Sequence, residues 1–180
     1  MTTVSQTASY AFSENYIVIT LPQSMGGHTH VIGGFDEGSE ITINRTDPTW
    51  TMKQSPDGKF MTRVKNSVKS HMIQFTLMST GVSNDVLAAI HDYDSRRTDN
   101  AALFNCTFAS KTGRDVFAST QAFIVTPESH SYASDNTTRQ WTIHLPNAET
   151  TIGGSALVDQ QTAKLLSDLG VELDPRWITA

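Results

Sequence analysis

The sequence predicts a mainly β protein with one short helix lying across a sheet and a second helical segment near the C-terminus. Two observations favour sheet over helix. Short runs of β-branched and aromatic residues are interrupted by Gly, Pro, Asn and Asp, and several runs alternate apolar and polar side chains with a period of two. The length of 180 residues is that of one domain with a sizeable core.

The first half of the chain contains five predicted strands. Residues 16–21 form the first, and the turn Pro-Gln-Ser-Met-Gly-Gly leads back into a strand at 28–32. Further strands are predicted at 40–44, 49–53 and 59–64. Between the last two, Ser-Pro-Asp-Gly at 55–58 has the composition of a hairpin tip, so the sequence predicts a hairpin over about 49–64.

The remaining strands are predicted by alternation and supply most of the expected core. Residues 71–78, 104–108 and 140–145 each place apolar side chains on one face, and 116–125 is a long strand expected to bend near 119–121. We expect the core to contain Ile73, Phe75, Leu77, Phe104, Phe108, Phe123, Trp141 and Ile143, covered by Val86, Leu87 and Ile90.

Two segments have helical spacing. Residues 83–94 carry an apolar stripe, and Ser-Asn-Asp at 83–85 is a candidate N-cap. A second helix is predicted from about 157 to 169, with Ser155 near its start and Gly170 at its C-terminal end; its stripe is Val158, Leu165, Leu166 and Leu169. The Gly-Gly pair at 153–154 suggests a joint, so we expect a β domain at 1–154 and an extension at 155–180.

Composition excludes several classes of function. The net charge of -5 argues against a protein that grips phosphates, and no apolar run approaches the ~20 residues of a membrane span. The N-terminus lacks the features of a signal peptide, so we expect a soluble protein made in the cytoplasm. With Cys106 as the single cysteine, no disulfide framework forms within the chain, and the Asn-X-Ser/Thr sequons at Asn44, Asn105 and Asn136 are interpreted as chance.

No pattern of residues predicts catalysis or a cofactor. The chain lacks a G-x-S-x-G elbow and a phosphate-binding glycine loop, and Cys106 alternates with phenylalanines on an apolar face. His28 and His30 have the spacing of two metal ligands, but a third ligand would have to come from Asp36 or Glu37. We therefore expect no catalytic residue, no cofactor and no metal, with two exposed or interface histidines.

Charge and exposed apolar residues instead suggest self-assembly. Residues 14–47 contain five acidic side chains and one basic one, whereas 53–69 contain five basic and one acidic. A protein that stacks head to tail brings such segments together. The hairpin also carries apolar residues that favour a partner surface over a core: Trp50, Met52, Phe60 and Met61.

The order of these elements resembles the tail tube proteins of contractile-tailed bacteriophages over about residues 10–154. The resemblance rests on Ile-Thr-Ile-Asn at 41–44, the hairpin at 50–62, the strand at 71–78 and the helix at 83–94. It also includes Gly-Arg-Asp at 113–115, Arg-Gln-Trp-Thr-Ile at 139–143 and Thr-Thr-Ile-Gly-Gly at 150–154. A tailocin or secretion-system tube shares this fold, and residues 155–180 extend beyond the shorter members.

The resemblance implies a β-sandwich or half-barrel subunit in a homohexameric ring with a continuous inner β-barrel. Rings stack into a tube in the virion tail, through which DNA passes without specific binding, and the tube meets sheath, baseplate and tail terminator proteins. The resemblance also implies that the hairpin becomes ordered on contact with the adjacent ring. We expect an inter-ring interface made by Trp50, Met52, Lys53, Pro56, Asp57, Gly58, Lys59, Phe60, Met61 and Arg63 against Asp36, Glu37 and Glu40 of a neighbour. The alternative is a solitary β-sandwich that binds carbohydrate or metal through His28 and His30 or exposed aromatic residues.

Overall fold

The computed structural model describes residues 11–111, 114–130, 132 and 137–179, and only the backbone of 126–130. The predicted turn at 113–115 lies partly outside these residues, because 113 is not described, and Asn136 of the third sequon lies outside them. The helices and strands, in chain order, are β1 Asn15–Thr20, β2 Thr29–Val31, β3 Thr42–Arg45, β4 Trp50–Gln54, β5 Met61–Lys65, β6 His71–Met78, α1 Ser83–Ser95, β7 Phe104–Ser110, β8 Val116–His130, β9 Thr138–Leu145, β10 Glu149–Thr151 and α2 Gln160–Asp168.

Eight of the strands form one antiparallel sheet in the order β2-β1-β7-β8-β9-β6-β3, with β10 beside β8. The long strand β8 joins two halves of this sheet, because its first residues pair with β7 and β10 and its later residues pair with β9. The halves enclose one core, where the Phe117 ring lies 5.6 Å from the ring of His71 and 6.1 Å from that of Phe108. The chain is therefore mainly β, as predicted.

The alternating strands supply the core residues that the sequence predicts. Inward-facing side chains of β1, β6, β7 and β9 are buried and belong to one cluster: Ile17, Ile19, Ile73, Phe75, Leu77, Phe104, Cys106, Phe108, Trp141, Ile143 and Leu145. Leu87 and Ile90 of α1 are buried in the same cluster, and Val86 packs against it half-buried. The predicted strand phases are thus confirmed for β6, β7 and β9.

One core prediction is wrong, because a bulge shifts the phase of β8. Cys106 pairs with Ser119 and Phe104 pairs with Ala122, so β8 has one extra residue at the predicted bend near 119–121. Beyond the bulge Ala122 and Ile124 are buried. Phe123 consequently lies half-buried on the other face, where its ring contacts His144 at 5.0 Å.

The predicted N-cap of α1 is also wrong, and α2 has a different start from the predicted one. Val82 is the N-cap of α1 and makes no side-chain bond there, because Ser83 and Asn84 are buried and bond to other segments. Helix α2 begins later than predicted, since the Asp159 carboxylate rather than Ser155 accepts a hydrogen bond from Thr162 N at 2.8 Å. Gly170 follows α2 with a φ of +82°, as predicted.

The apolar stripe of α2 does not form a core. No residue of α2 is buried, and Leu165 and Leu169 are exposed. The segment instead closes on itself, since Val158 N donates to Trp177 O at 2.7 Å, and it meets the β domain where the Arg114 guanidinium lies 5.4 Å from the Trp177 ring centroid. In the described part of the chain, no helix is both long and apolar enough to span a bilayer.

Candidate functional site

The β4–β5 hairpin forms its own two-stranded sheet, and all ten of its strand residues are exposed. Met52 and Phe60 are each 72% exposed and Met61 is 64% exposed. Apolar side chains grouped on a projecting element are typical of an interaction surface. These apolar side chains therefore lie at the surface, and their role as a partner surface stays a prediction.

The strand register divides the hairpin into two different faces. Trp50 lies opposite Lys65, Met52 opposite Arg63 and Gln54 opposite Met61, so these six side chains share one face. On that face the Arg63 guanidinium lies 3.6 Å from the Trp50 ring centroid, a cation–π contact. Lys53 lies opposite Thr62 on the other face. The apolar and cationic residues of the predicted interface are therefore concentrated on the Trp50 face, and Lys53 is separated from them.

The tip of the hairpin is ordered by local hydrogen bonds. Gly58 has a φ of +70° and its N–H donates to Ser55 O at 2.9 Å, closing the turn at Pro56 and Asp57. The Ser55 hydroxyl donates to the Asp57 carboxylate, which also accepts the Lys59 N–H at 3.2 Å. These two bonds lower the pKa of Asp57. Lys59 and Phe60 are thus presented outward from a fixed turn.

Arg45 holds together the two chain segments at the base of the hairpin. Its Nε donates to Asp47 O at 2.8 Å on one segment, and its Nη2 donates to Val68 O at 2.7 Å on the other. The Asn66 N–H adds a bond to Thr49 O at 2.8 Å. The sequence does not indicate this clamp, because an arginine bonded to main-chain carbonyls leaves no motif.

Two histidines lie beneath the same base. His71 is buried, and burial together with the nearby Arg45 charge lowers its pKa. The His144 Nε2 atom lies 2.5 Å from the Ser70 hydroxyl, and burial lowers the pKa of His144. Ser70 O also accepts the Thr46 N–H at 2.9 Å. The base of the hairpin therefore lies over two imidazoles whose pKa values are lowered by burial, an arrangement that the sequence does not predict.

The predicted acidic residues Asp36, Glu37 and Glu40 lie in the loop that enters β3. Gly38 in this loop has a φ of +79°, and the Ser39 hydroxyl anchors it by donating to Thr76 O at 3.0 Å. The hairpin follows the other end of β3. One subunit therefore carries its acidic loop and its basic hairpin at opposite ends of the same strand.

The other candidate sites show no catalytic arrangement. Cys106 is fully buried, and burial raises the pKa of its thiol to about 12. His30 Nε2 lies 3.0 Å from the Ser83 hydroxyl. Across the described ranges, no group of three His, Cys, Asp or Glu side chains is placed to hold a metal ion.

Comparison with known proteins identifies the family. No family model matches the chain. Structural protein ORF10 of Pseudomonas phage KPP10 is 30% identical over 173 residues, covering 96% of this chain and 98% of that protein. This relationship includes the C-terminal segment.

Solved structures share the fold at low sequence identity. A chain in the virion of a native gene transfer agent matches with a TM-score of 0.50 and 10% identity, over 79% of this chain and 99% of its own. A chain in the tail of an empty gene transfer agent particle, which has C6 symmetry, matches with a TM-score of 0.51 and 10% identity, over 81% and 100%. The chain belongs to the family of the phage structural protein ORF10, as a structural protein rather than an enzyme, and it shares the fold of chains in gene transfer agent particles.

Proposed function

We propose that the chain is a tail tube subunit, in which six copies close a ring and rings stack into a conduit for DNA inside a contractile sheath. The observation that carries this proposal is the projecting hairpin. Its ten strand residues are exposed, its base is clamped and its tip is ordered, so it is built to contact another molecule. We assign that contact to the adjacent ring.

Ring closure is supported by the sheet order. β2 and β3 are the two ends of the seven-strand path of the sheet, and among the described residues no further strand pairs with the outer edge of either one. Such edges promote aggregation unless another strand covers them. Pairing between neighbouring subunits would satisfy both edges at once, and the C6 tail of the gene transfer agent is built from a chain of similar fold.

Head-to-tail stacking is supported by the positions of the charges. The acidic loop and the basic hairpin lie at opposite ends of β3, so a neighbour related by translation presents unlike charges across the contact. An exposed pair contributes only ~0.2–1 kcal/mol, but six copies act together in one ring contact. The net charge of -5 per subunit also disfavours retention of DNA in the bore.

The C-terminal segment is proposed to be an appendage to the tube-building unit at 1–154. It contacts the β domain where the Arg114 guanidinium lies 5.4 Å from the Trp177 ring centroid, and α2 contributes no buried residue. Truncation after residue 154 should therefore leave a folded β domain, as judged by circular dichroism.

Assembly of the purified protein tests the proposed function. Negative-stain microscopy should show rings or tubes, and removal of residues 55–59 should abolish stacking while the subunit keeps its melting temperature. A protein that stays monomeric at every concentration, or tubes that tolerate the deletion, would contradict the proposal. Binding of glycans or metal by such a monomer would instead favour a solitary binding module.

A further inference from the structure

We infer that the hairpin tip of a second copy docks in a groove at the open end of the sandwich, with Phe60 as the anchor. This inference rests on the proposed function and names the receptor for the hairpin. The groove, called here the end groove, has a volume of about 430 Å³. Phe12, Ile41 and Phe108 form its apolar wall, and Glu40 and Asp115 contribute carboxylates.

The end groove lies where the interior of the sandwich opens. Phe108 of β7 faces inward and is buried, and Ile41 precedes β3 on the opposite half of the sheet. Phe12 closes one side and is fixed there by an edge-to-face contact with Phe35, with ring centroids 5.5 Å apart. The groove therefore has a preformed apolar wall continuous with the core.

The hairpin tip matches this groove in its chemistry. Phe60 is 72% exposed in the subunit and follows an ordered turn. Docking of its phenyl group would therefore remove apolar surface from water with little loss of conformational entropy. When Phe60 is docked, the ammonium group of the neighbouring Lys59 lies beside the groove carboxylates, Glu40 and Asp115. The acidic loop extends the negative surface beyond Glu40 through Glu37, which is exposed.

Nearby basic side chains do not neutralise the end groove. Arg114 Nε donates to Gly154 O, and its guanidinium lies 5.4 Å from the Trp177 ring centroid. The Lys111 ammonium lies 5.7 Å from the ring of Tyr16, whose side chain points to the outer face of β1. Both cations are thus directed to the outside of the sheet, and the groove remains suited to a cation from a second copy.

A charge exchange tests the pairing. Lys59→Glu alone and Glu40→Lys alone should each slow polymerisation several-fold at low salt. The double variant with Lys59→Glu and Glu40→Lys again places unlike charges opposite each other between subunits. It should recover most of the wild-type polymerisation rate. Lys59→Glu combined with Asp99→Lys is the matched control. Asp99 follows α1 and does not line the end groove, so this pair should not recover the polymerisation rate.

The anchor is tested separately. Phe60→Ala should slow polymerisation more than tenfold, whereas Phe60→Leu should retain most of the rate; both should melt like the wild type, since the side chain is exposed. In polymers of a Lys59→Cys, Glu40→Cys variant, a short bis-maleimide should join subunits, and Cys106 is too buried to react.

The outcomes separate this inference from the proposed function. Three results would overturn the groove assignment and leave the tube in place. They are tubes in which the two introduced cysteines do not cross-link, a charge-exchange double variant that does not recover the polymerisation rate, and a Phe60→Ala variant that polymerises at the wild-type rate. A wild-type protein that never polymerises would overturn both.

Discussion

Replacing Asn84 by Ala should destabilise the subunit by about 3 kcal/mol. The Asn84 side chain is 1% exposed and makes three hydrogen bonds. Its Nδ2 donates to Met78 O at 2.7 Å and Gly81 O at 3.0 Å, and its Oδ1 accepts the Trp141 indole N–H at 2.9 Å. The variant leaves a buried indole donor unpaired, which costs about 1–3 kcal/mol, and each lost carbonyl bond adds about 0.5–1.5 kcal/mol.

Two features keep this estimate from being larger. The Met78 and Gly81 carbonyls each retain a backbone donor, from Gly81 N at 2.9 Å and Asn84 N at 3.1 Å. Alanine also favours the first turn of α1. For a protein of this length, about 3 kcal/mol lowers the melting temperature by about 6–12 °C.

Urea unfolding of the unassembled subunit, followed by far-ultraviolet circular dichroism, measures the effect. The matched control is Asn100→Ala, at an exposed position, which should change stability by less than about 0.5 kcal/mol. Trp141→Phe removes the indole donor, so adding it to Asn84→Ala should cost at least about 1 kcal/mol less than the two changes separately. An Asn84→Ala variant as stable as the control, or strict additivity with Trp141→Phe, would refute the reasoning.

Three further predictions follow from the core, the hairpin base and the charges. Phe75→Ala should cost ~3–5 kcal/mol in urea unfolding, because the ring is fully buried, and unchanged stability would contradict its placement. The lowered pKa values of His71 and His144 mean that, as pH falls, these two histidines bind protons in the unfolded chain before they do so in the folded chain. The contribution of these two histidines to stability should therefore be constant above about pH 6.5 and fall as pH decreases below it; a His71→Gln variant with the same decline would rule out His71 as a source. Polymerisation should slow as salt rises and slow further at low salt when Lys53 and Lys59 are reversed to Glu, and indifference to both changes would assign stacking to apolar contacts.

The sequence predicts the strands whose inward face follows one unbroken alternation. β6 and β9 are of this kind, because each places three apolar residues in alternation on its inward face: Ile73, Phe75 and Leu77 in β6, and Trp141, Ile143 and Leu145 in β9. The sequence also predicts Phe123 in the core, yet a single inserted residue in β8 moves it to the other face. A bulge changes the phase without leaving a recognisable residue pattern, so alternation alone does not locate the inward face beyond it.

The candidate site could be predicted in its composition but not in its geometry. Exposed apolar and basic residues at 50–63 indicate a surface hairpin, whereas the division into a Trp50 face and a Lys53 face depends on strand register. The Arg45 clamp is set by main-chain carbonyls, which carry no sequence signal. Ser83 and Asn84 resemble a helix cap, but tertiary partners compete for their side chains.

The continuity of β8 has a mechanical consequence for the subunit. Its fifteen residues run without a break from the half that holds β7 and β10 to the half that holds β9. Opening either half removes a pairing strand from the other. The amide hydrogens of both halves should therefore exchange with solvent through one cooperative opening. A pulling force applied to one half is carried by covalent bonds into the other rather than by side-chain packing alone.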